Sequence, residues 1–523
     1  MTRRTETAPE MAGRLAQLAA DRAALRDSAR PAAVARQRAR GRLSARERLH
    51  LLCDGGGFTE TGALVRAEGD APGALPADGM ITGSARIEGR PVVVVAQDFT
   101  VMGGSSGLLG SRKLHAAVRR SLREGAPLVL LLDGGGHRIQ DGQNSRHFAA
   151  ADPVFHDLAR LSGWAPVAAA VLGAGFAAPT NYVGMADFVV MPRSGAFMGL
   201  AGPALVKAGV GETVEAEAIG GAAAQVDRNG LAHLGAEDEP AAIAALRRFL
   251  SYLPSNARAP LPMQPAPPED ADRQRVLETL VPISTRRGYD VRRVAEVLAD
   301  PDSLFEIKPT HARNALCALA RLGGRPVGII ANNPQFLGGM LTAAACEKIA
   351  HFTAVCDAFG LPLVHLIDVP GFAVGTAAEA SVLGRRSAKL LWELGHATVP
   401  RVSVVLRKGY GLGYFAMNGG RAFDPDACFA WPSAEICAMS IEGAVDVVHR
   451  RAIEAAPDPE AHRAALISAD RGRVTPFGGA ESFGLDDMLA PAETRARLIE
   501  VLDRAPARRD AGQPPKHRAI SPI

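Results

Sequence analysis

Two stretches of this chain repeat each other in gapless register, and that repetition limits the fold more than any other feature. GRPVVVVAQDFTVMGGSSG begins at Gly89 and GRPVGIIANNPQFLGGMLT begins at Gly324, an offset of 235 residues. The same offset relates Gly103 to Gly338, Lys113 to Lys348, Pro127 to Pro362, Asp133 to Asp368 and Gly136 to Gly371. A solenoid repeats every ~20–50 residues, so a period this long implies two homologous domains. The length of 523 residues agrees, because one hydrophobic core stops growing at roughly 250–300 residues.

Each copy reads as the same α/β unit. A β-branched run, Val92–Val95 or Val327–Ile330, is a buried strand. A Gly-Gly turn follows, then a helix with Leu114, Val118 and Leu122 on one face in the first copy, and Ile349, Phe352 and Cys356 in the second. A second apolar strand, Leu128–Leu132 or Leu363–Ile367, ends at an aspartate and a glycine turn. A further helix leads to a third strand, Val167–Leu172 or Val402–Leu406, and to the turns GAGFAAP and GYGLGYF. Strand–helix alternation with glycines after the strands places the functional loops at one end of a sheet.

The flanking pieces are of other kinds. Residues 10–54 read as Ala/Arg-rich helix, with ten arginines from Arg14 to Arg48, a solvated face that packs on a partner subunit; Ser44 and Glu47 have the spacing of a capping box. Residues 254–268 hold six prolines. The domains are therefore expected at 1–260 and 276–523, with a Pro-rich linker over 254–275. The tail after Arg504 is Pro/Arg-rich and is expected to run extended over a neighbour.

Composition removes several classes of function. Aromatic residues make up 5%, too few for a base-stacking platform, and the net charge of +4 comes with acids interleaved among the arginines, so nucleic acid is not expected as a partner. The cysteines Cys53, Cys317, Cys346, Cys356, Cys428 and Cys437 include no CxxC pair, which argues against zinc and for buried reduced thiols in a cytoplasmic protein. No metal site is expected. No secretory leader opens the chain, and the uncharged run Leu161–Asn181 is broken by Gly163, Pro166, Gly173, Gly175 and Pro179, so no membrane span is expected.

Three glycine turns can carry chemistry: DGGGHRIQDG at Asp133, DVPGFAVG at Asp368 and RKGYGLGYFAMNGG at Arg407. Glycines after a strand tolerate positive φ and bring backbone N–H groups close to a ligand. At a helix N-terminus such donors suit an oxyanion, as in the enolate of a thioester. The chain has no GxxxxGK[ST] phosphate loop, no GxSxG elbow and no HExxH pair. The GxG at Gly409–Gly413 lacks the third glycine and acidic partner of a dinucleotide site.

In the order GRLSARERLHLLCDGGGF, QDFTVMGGSSG, GPALVKAGVGETVEAEAIGGA, NGLAHL, CDAFGLPLVHLIDVPGF, ATVPRVSVVLRKGYG, FAWPSAEICAM, EGAVDVV and PAETRARLIEVL, the chain resembles the carboxyltransferase β-subunits of biotin-dependent acyl-CoA carboxylases of the propionyl-CoA type. The resemblance implies two tandem crotonase-like domains, each a duplicated β-β-α spiral. It implies a dimer-based homo-oligomer, of hexamer type, with head-to-tail pairing, an acyl-CoA site in the first half and carboxybiotin in the second. It implies catalysis by two backbone oxyanion holes, which map to Ala177–Ala178 and Leu412–Gly413, with Gly135, Gly136, His137, Arg138, Gly371, Phe372, Gly411 and Phe415 lining the substrates. No AMKM biotinyl-lysine motif and no ATP-binding region occurs, so a biotin carboxylase and biotin carboxyl carrier are implied as partners.

The chain departs from this pattern mainly in its first half. The usual DSGGAR turn is Asp133-Gly134-Gly135-Gly136-His137-Arg138. The usual Gly-Gly pair is Ala177-Ala178 followed by Pro179, and a family histidine is Gln225. In the second half Phe415 stands where the family has a smaller or acidic residue. Three readings follow: carboxyl transfer to an acyl-CoA, the same chemistry run in reverse in a biotin-dependent decarboxylase, and a catalytically weak structural paralogue. Neither repeat offers the paired glutamates of a crotonase-type hydratase. Acyl chain identity and direction of reaction are not written in the sequence.

Overall fold

The computed structural model describes residues 8–66, 76–507 and 518–522. The chain divides between Ser251 and Tyr252 into two compact units, each with its own apolar core.

In the first unit the strands are β1 (Phe58–Thr61), β2 (Met80–Ile87), β3 (Arg90–Gln97), β4 (Leu128–Leu132), β5 (Val167–Val171), β6 (Ala174–Phe176), β7 (Phe188–Pro192), β8 (Phe197–Gly199) and β9 (Leu234–Ala236). Seven form one sheet in the order β1-β2-β3-β4-β5-β7-β9, and β6 pairs with β8 beside it. The hairpin pairings are antiparallel and the rest parallel. The second unit has β10 (Phe305–Ile307), β11 (Ala315–Leu322), β12 (Arg325–Asn332), β13 (Leu363–Val369), β14 (Arg401–Tyr410), β15 (Ala427–Ala430), β16 (Glu435–Cys437) and β17 (Asp487–Met488). Its order is β10-β11-β12-β13-β14-β15-β17, with β16 pairing β14.

The offset of the sequence repeat persists in three dimensions. Strands β2 and β3 superpose in numbering on β11 and β12, and the helix Leu108–Glu124 corresponds to Ala343–Phe359. Both helices end on a left-handed glycine, Gly125 at φ 59° and Gly360 at φ 77°, where a Cβ would be strained. They differ in burial. The first buries Leu114 and Val118 on one face, as the periodicity predicts, whereas the second is buried nearly all round. A single apolar face is therefore the wrong description of the second helix. The fourteen-residue helix Leu383–His396 packs against it, where the first copy has only Val154–Leu161.

The N-terminal segment is three helices rather than one: Ala8–Ala24, Pro31–Ala39 and Ala45–Leu52. Pro31 starts the second, and Ser44 caps the third, accepting from Glu47 N–H at 3.1 Å while Glu47 accepts from Ser44 N–H at 2.7 Å. The expected solvated face does not extend to Arg48, which is 1% exposed. Residues 254–270 carry no regular secondary structure, and the Gln264 N–H donates to Gly324 O at 3.0 Å, so the proline-rich stretch lies against the second unit. Residues 508–517 of the expected extended tail lie outside the described residues. Arg518 beyond them pairs with Asp357 and Glu393 of the second unit. The run Leu161–Asn181 contains β5, β6 and the start of the helix Ala178–Gly184. No helix among the described residues is long and apolar enough to cross a membrane.

Candidate active site

Each unit brings two glycine turns together by the same device. In the first, Ser106 forms a parallel bridge with His137; in the second, Leu341 bridges Phe372, again 235 residues on. Ser106 N–H donates to Gly136 O and Arg138 N–H to Ser106 O, at 3.0 and 2.8 Å. Leu341 N–H donates to Gly371 O and Ala373 N–H to Leu341 O, at 3.0 and 2.9 Å. A buried amide staples each pair from behind. Gln97 donates to Gly104 O and accepts from Asp133 N–H; Asn332 donates to Gly339 O and accepts from Asp368 N–H.

Asp133, just after β4, and Asp368, near the end of β13, are fully buried and ion-paired, but with cations from different places. Arg407 and Lys408, on β14 itself, hold Asp368 at 3.0 and 2.8 Å, and Tyr289 Oη donates to it at 2.9 Å. In the first unit those strand positions are Leu172 and Gly173. There Arg48 and Arg42, from the N-terminal segment, hold Asp133 at 2.7 and 3.4 Å. Gly173 is required: a Cβ on it would lie 1.8 Å from Asp133 Oδ1. These carboxylates are structural ions, engaged by cations and backbone, and not free bases.

Above each aspartate lies a helix N-terminus. Gly136 packs on Ala177, and Gly413 packs on Gly371: a Cβ on Gly136 would meet the Ala177 methyl at 2.9 Å, and one on Gly413 would meet Gly371 Cα at 2.9 Å. Ala177 adopts φ 66°, ψ −129°, a conformation suited to glycine. Its N–H donates to Gly199 O at 2.8 Å. This corrects the expectation that the Ala177–Ala178 pair supplies both donors: the Ala177 N–H is already taken. The N–H groups of Ala178 and Gly136, and of Leu412, Gly413 and Gly371, have no hydrogen-bond partner among the described residues.

Comparisons with known proteins give the family. The carboxyl transferase domain model matches residues 36–520. The chain belongs to the carboxyl transferase family. It is 38% identical over 515 residues to the methylmalonyl-CoA carboxyltransferase 12S subunit of Propionibacterium freudenreichii subsp. shermanii, covering 98% of this chain and 97% of that one. It is 38% identical over 470 residues to a putative propionyl-CoA carboxylase beta chain of Bacillus subtilis, covering 90% and 91%. The crystal structure of transcarboxylase 12S, a hexamer with methylmalonyl-coenzyme A and methylmalonic acid bound, matches at a TM-score of 0.89 and 36% identity over 99% of both chains.

Within this family member, the remaining expected site residues separate into three groups. Gly135, Gly136, Gly371, Phe372 and Gly411 are half-buried at the turns, and Gly411 takes φ 59°. Leu412 and Phe415 are 54% and 40% exposed on the short helix Gly411–Ala416, and Phe415 lies against Tyr414. Arg138 is not available to a substrate as expected: it is 5% exposed and pairs with Asp78 at 2.6 Å. The His137 ring packs edge-on to Phe148 with centroids 5.7 Å apart, and its Nε2 is buried without a hydrogen-bond partner among the described residues. Gln225 donates to Met198 O at 3.0 Å inside its own unit. The sequence reading missed Gln97, Asn332, Arg42 and Arg48. The first two were recoverable, since amides recur at the 235-residue offset; the arginines carry no such signal.

Proposed function

We propose that the chain transfers a carboxyl group between a biotinylated carrier and the α-carbon of an acyl-CoA, through an enolate held by backbone N–H groups alone. The observation that carries this reading is the recurrence, at one offset, of partnerless N–H groups from two touching turns: Gly136 with Ala178, and Gly371 with Gly413. In the first unit these two donors hold the thioester oxygen as negative charge develops on it, each contributing about 3 kcal/mol to the barrier. In the second, the Gly371 and Gly413 N–H groups, with that of Leu412 beside them, fit the ureido oxygen of biotin, a neutral acceptor that gains charge as its carboxyl group leaves. Carboxybiotin held on a partner subunit would release its carboxyl group as CO₂ for the enolate to attack, and the ureido anion so formed would be the acceptor of the α-proton. No side-chain base is needed, which accords with Asp133 and Asp368 being tied into ion pairs.

The partners that follow are a biotin carboxylase, a biotin carboxyl carrier and further copies of this chain in a homo-oligomer. The six free cysteines suit a reducing cytoplasm. The test is a panel of acyl-CoA thioesters with the cognate carboxylase and carrier, reading carboxylated product by mass. Label exchange between carboxyacyl-CoA and carrier biotin is expected. Its absence with every thioester would leave a structural paralogue.

A further inference from the structure

A cavity of about 260 Å³ opens in the first unit between the helix Leu108–Glu124 and the hairpin side of the sheet. It exists because its lining is small. Ala116 and Ala117 come from the helix, and Gly83 and Val93 from β2 and β3. The internal duplication supplies the control. At the same positions of the second unit the helix carries His351 and Phe352, both buried. The Phe352 ring lies over Gly328, the counterpart of Val93, at 3.0 Å from where a Cβ would sit. Side chains fill in the second copy what the first leaves open.

Charge differs in the same direction. Arg112 and Arg120 line the first-unit cavity where the second copy has Glu347 and Val355. The buried lysine is shared, but its surroundings are not. Lys348 donates to three carbonyls, of Lys308, His311 and Ala315, at 2.8, 3.1 and 2.7 Å. Lys113 is 7% exposed, and its one hydrogen bond among the described residues is a long contact of 3.5 Å to Ala77 O. The nearby carboxylates are engaged elsewhere: Glu60 pairs with Arg46 at 3.0 Å and Asp78 with Arg138 at 2.6 Å. No carboxylate lines the cavity. Burial lowers the Lys113 ammonium to about 8, the mark of a cation lacking a full set of partners.

An apolar chamber with an under-partnered buried cation and an arginine fits one ligand chemistry. We propose that this cavity binds a medium-chain carboxylate, with its tail against Val93, Ala116 and Ala117 and its head at Lys113 and Arg112. A neutral alcohol of the same length would fill the chamber but leave the cations unanswered. An acyl-CoA would present its phosphates in place of a carboxylate.

Calorimetric titration of the full-length protein with octanoate tests this, with octanol and octanoyl-CoA as parallel ligands. Saturable binding of one octanoate per chain is expected, with octanol at least tenfold weaker. Ala117→Phe, which copies the second unit's own filling, should abolish octanoate binding while leaving the melting temperature unchanged or raised. Arg112→Glu, which copies Glu347, should weaken it at least tenfold and serves as the second variant if Ala117→Phe unfolds. Absence of octanoate binding, or octanoate binding that both variants keep, overturns the proposal. So does binding of octanoyl-CoA alone that Ala117→Phe removes, since the ligand would then be the thioester.

Discussion

The Arg48 guanidinium lies 2.7 Å from the Asp133 carboxylate, and neither side chain is more than 1% exposed. Its other face meets Glu239 at 2.7 Å. A residue of the N-terminal helices thus neutralises the aspartate just after β4, directly beneath the first glycine turn. Arg48→Met would leave two buried carboxylates with Arg42, at 3.4 Å, as the remaining cation on Asp133. Removing one partner of a buried pair costs about 3–5 kcal/mol. Urea unfolding should show a loss of that size. A change below about 1 kcal/mol would mean that the site admits water or relaxes freely.

Ala177 is the strained residue of the first site, at φ 66°, ψ −129°. A non-glycine residue held there costs about 1–3 kcal/mol, against roughly 0.5–1 kcal/mol of extra chain entropy for glycine. Ala177→Gly should therefore stabilise the protein by about 1 kcal/mol, read as a higher denaturation midpoint. The hydrogen bond from this N–H to Gly199 O does not depend on the methyl group and should persist. A lower midpoint would show that the alanine methyl is needed for packing against Gly136.

Gly413 has no room for a methyl group, because Gly371 Cα and Val369 Cγ2 stand 2.9 and 3.0 Å from its would-be Cβ. Gly413→Ala must displace the helix start and its N–H groups. Loss of one oxyanion donor costs about 10²–10³ in kcat, and a loss of that order is expected in carboxyl transfer. The KM for the acyl-CoA should change little, since that ligand is assigned to the first unit's donors. An unchanged kcat would remove Gly413 from the reaction.

Much of this was legible because duplication doubles the signal. Strand β4 was read at its true ends, and β2–β3 and β11–β12 share one numbering offset because each hairpin closes on two residues at positive φ, Glu88-Gly89 and Gly323-Gly324. Arg48 was not legible: its partner Asp133 is 85 residues away in sequence, and an arginine-rich helix gives no clue to which arginine turns inward. The commitment of the Ala177 N–H was hidden for a similar reason. Its acceptor, Gly199 O, belongs to β8, whose pairing with β6 is a tertiary event that no local pattern encodes. The all-round burial of Ala343–Phe359 likewise depends on the length of the helix that covers it.

His137 replaces the alanine that the family pattern has in this turn, and its ring packs edge-on to Phe148. General acid/base catalysis contributes about 10²–10⁴-fold where it operates. The edge-on contact with Phe148 places this ring for packing. His137→Ala should lower turnover by less than about tenfold, with a modest loss of stability. A loss near 10³-fold would reassign this histidine to proton transfer.

Asp187 gives a pH signature that separates structure from chemistry. It is buried, no cation pairs with it among the described residues, and it accepts a hydrogen bond from Val167 N–H at 2.8 Å. Burial raises its carboxyl to about 7, only partly offset by that hydrogen bond. A carboxyl that is easier to protonate in the folded than in the unfolded state stabilises the fold most at low pH. Its contribution is complete below the unfolded value near 3.8 and is lost as pH rises through about 7. Other groups oppose this slope, so the informative measurement is a difference. Asp187→Asn keeps an oxygen for Val167 N–H but cannot ionise. The stability of the variant relative to the parent should therefore rise between about pH 4 and pH 7 and level off above. Urea unfolding across that range reads it directly. A relative stability that stays flat with pH would show that Asp187 is charged in the folded protein and has a counterion or water beside it.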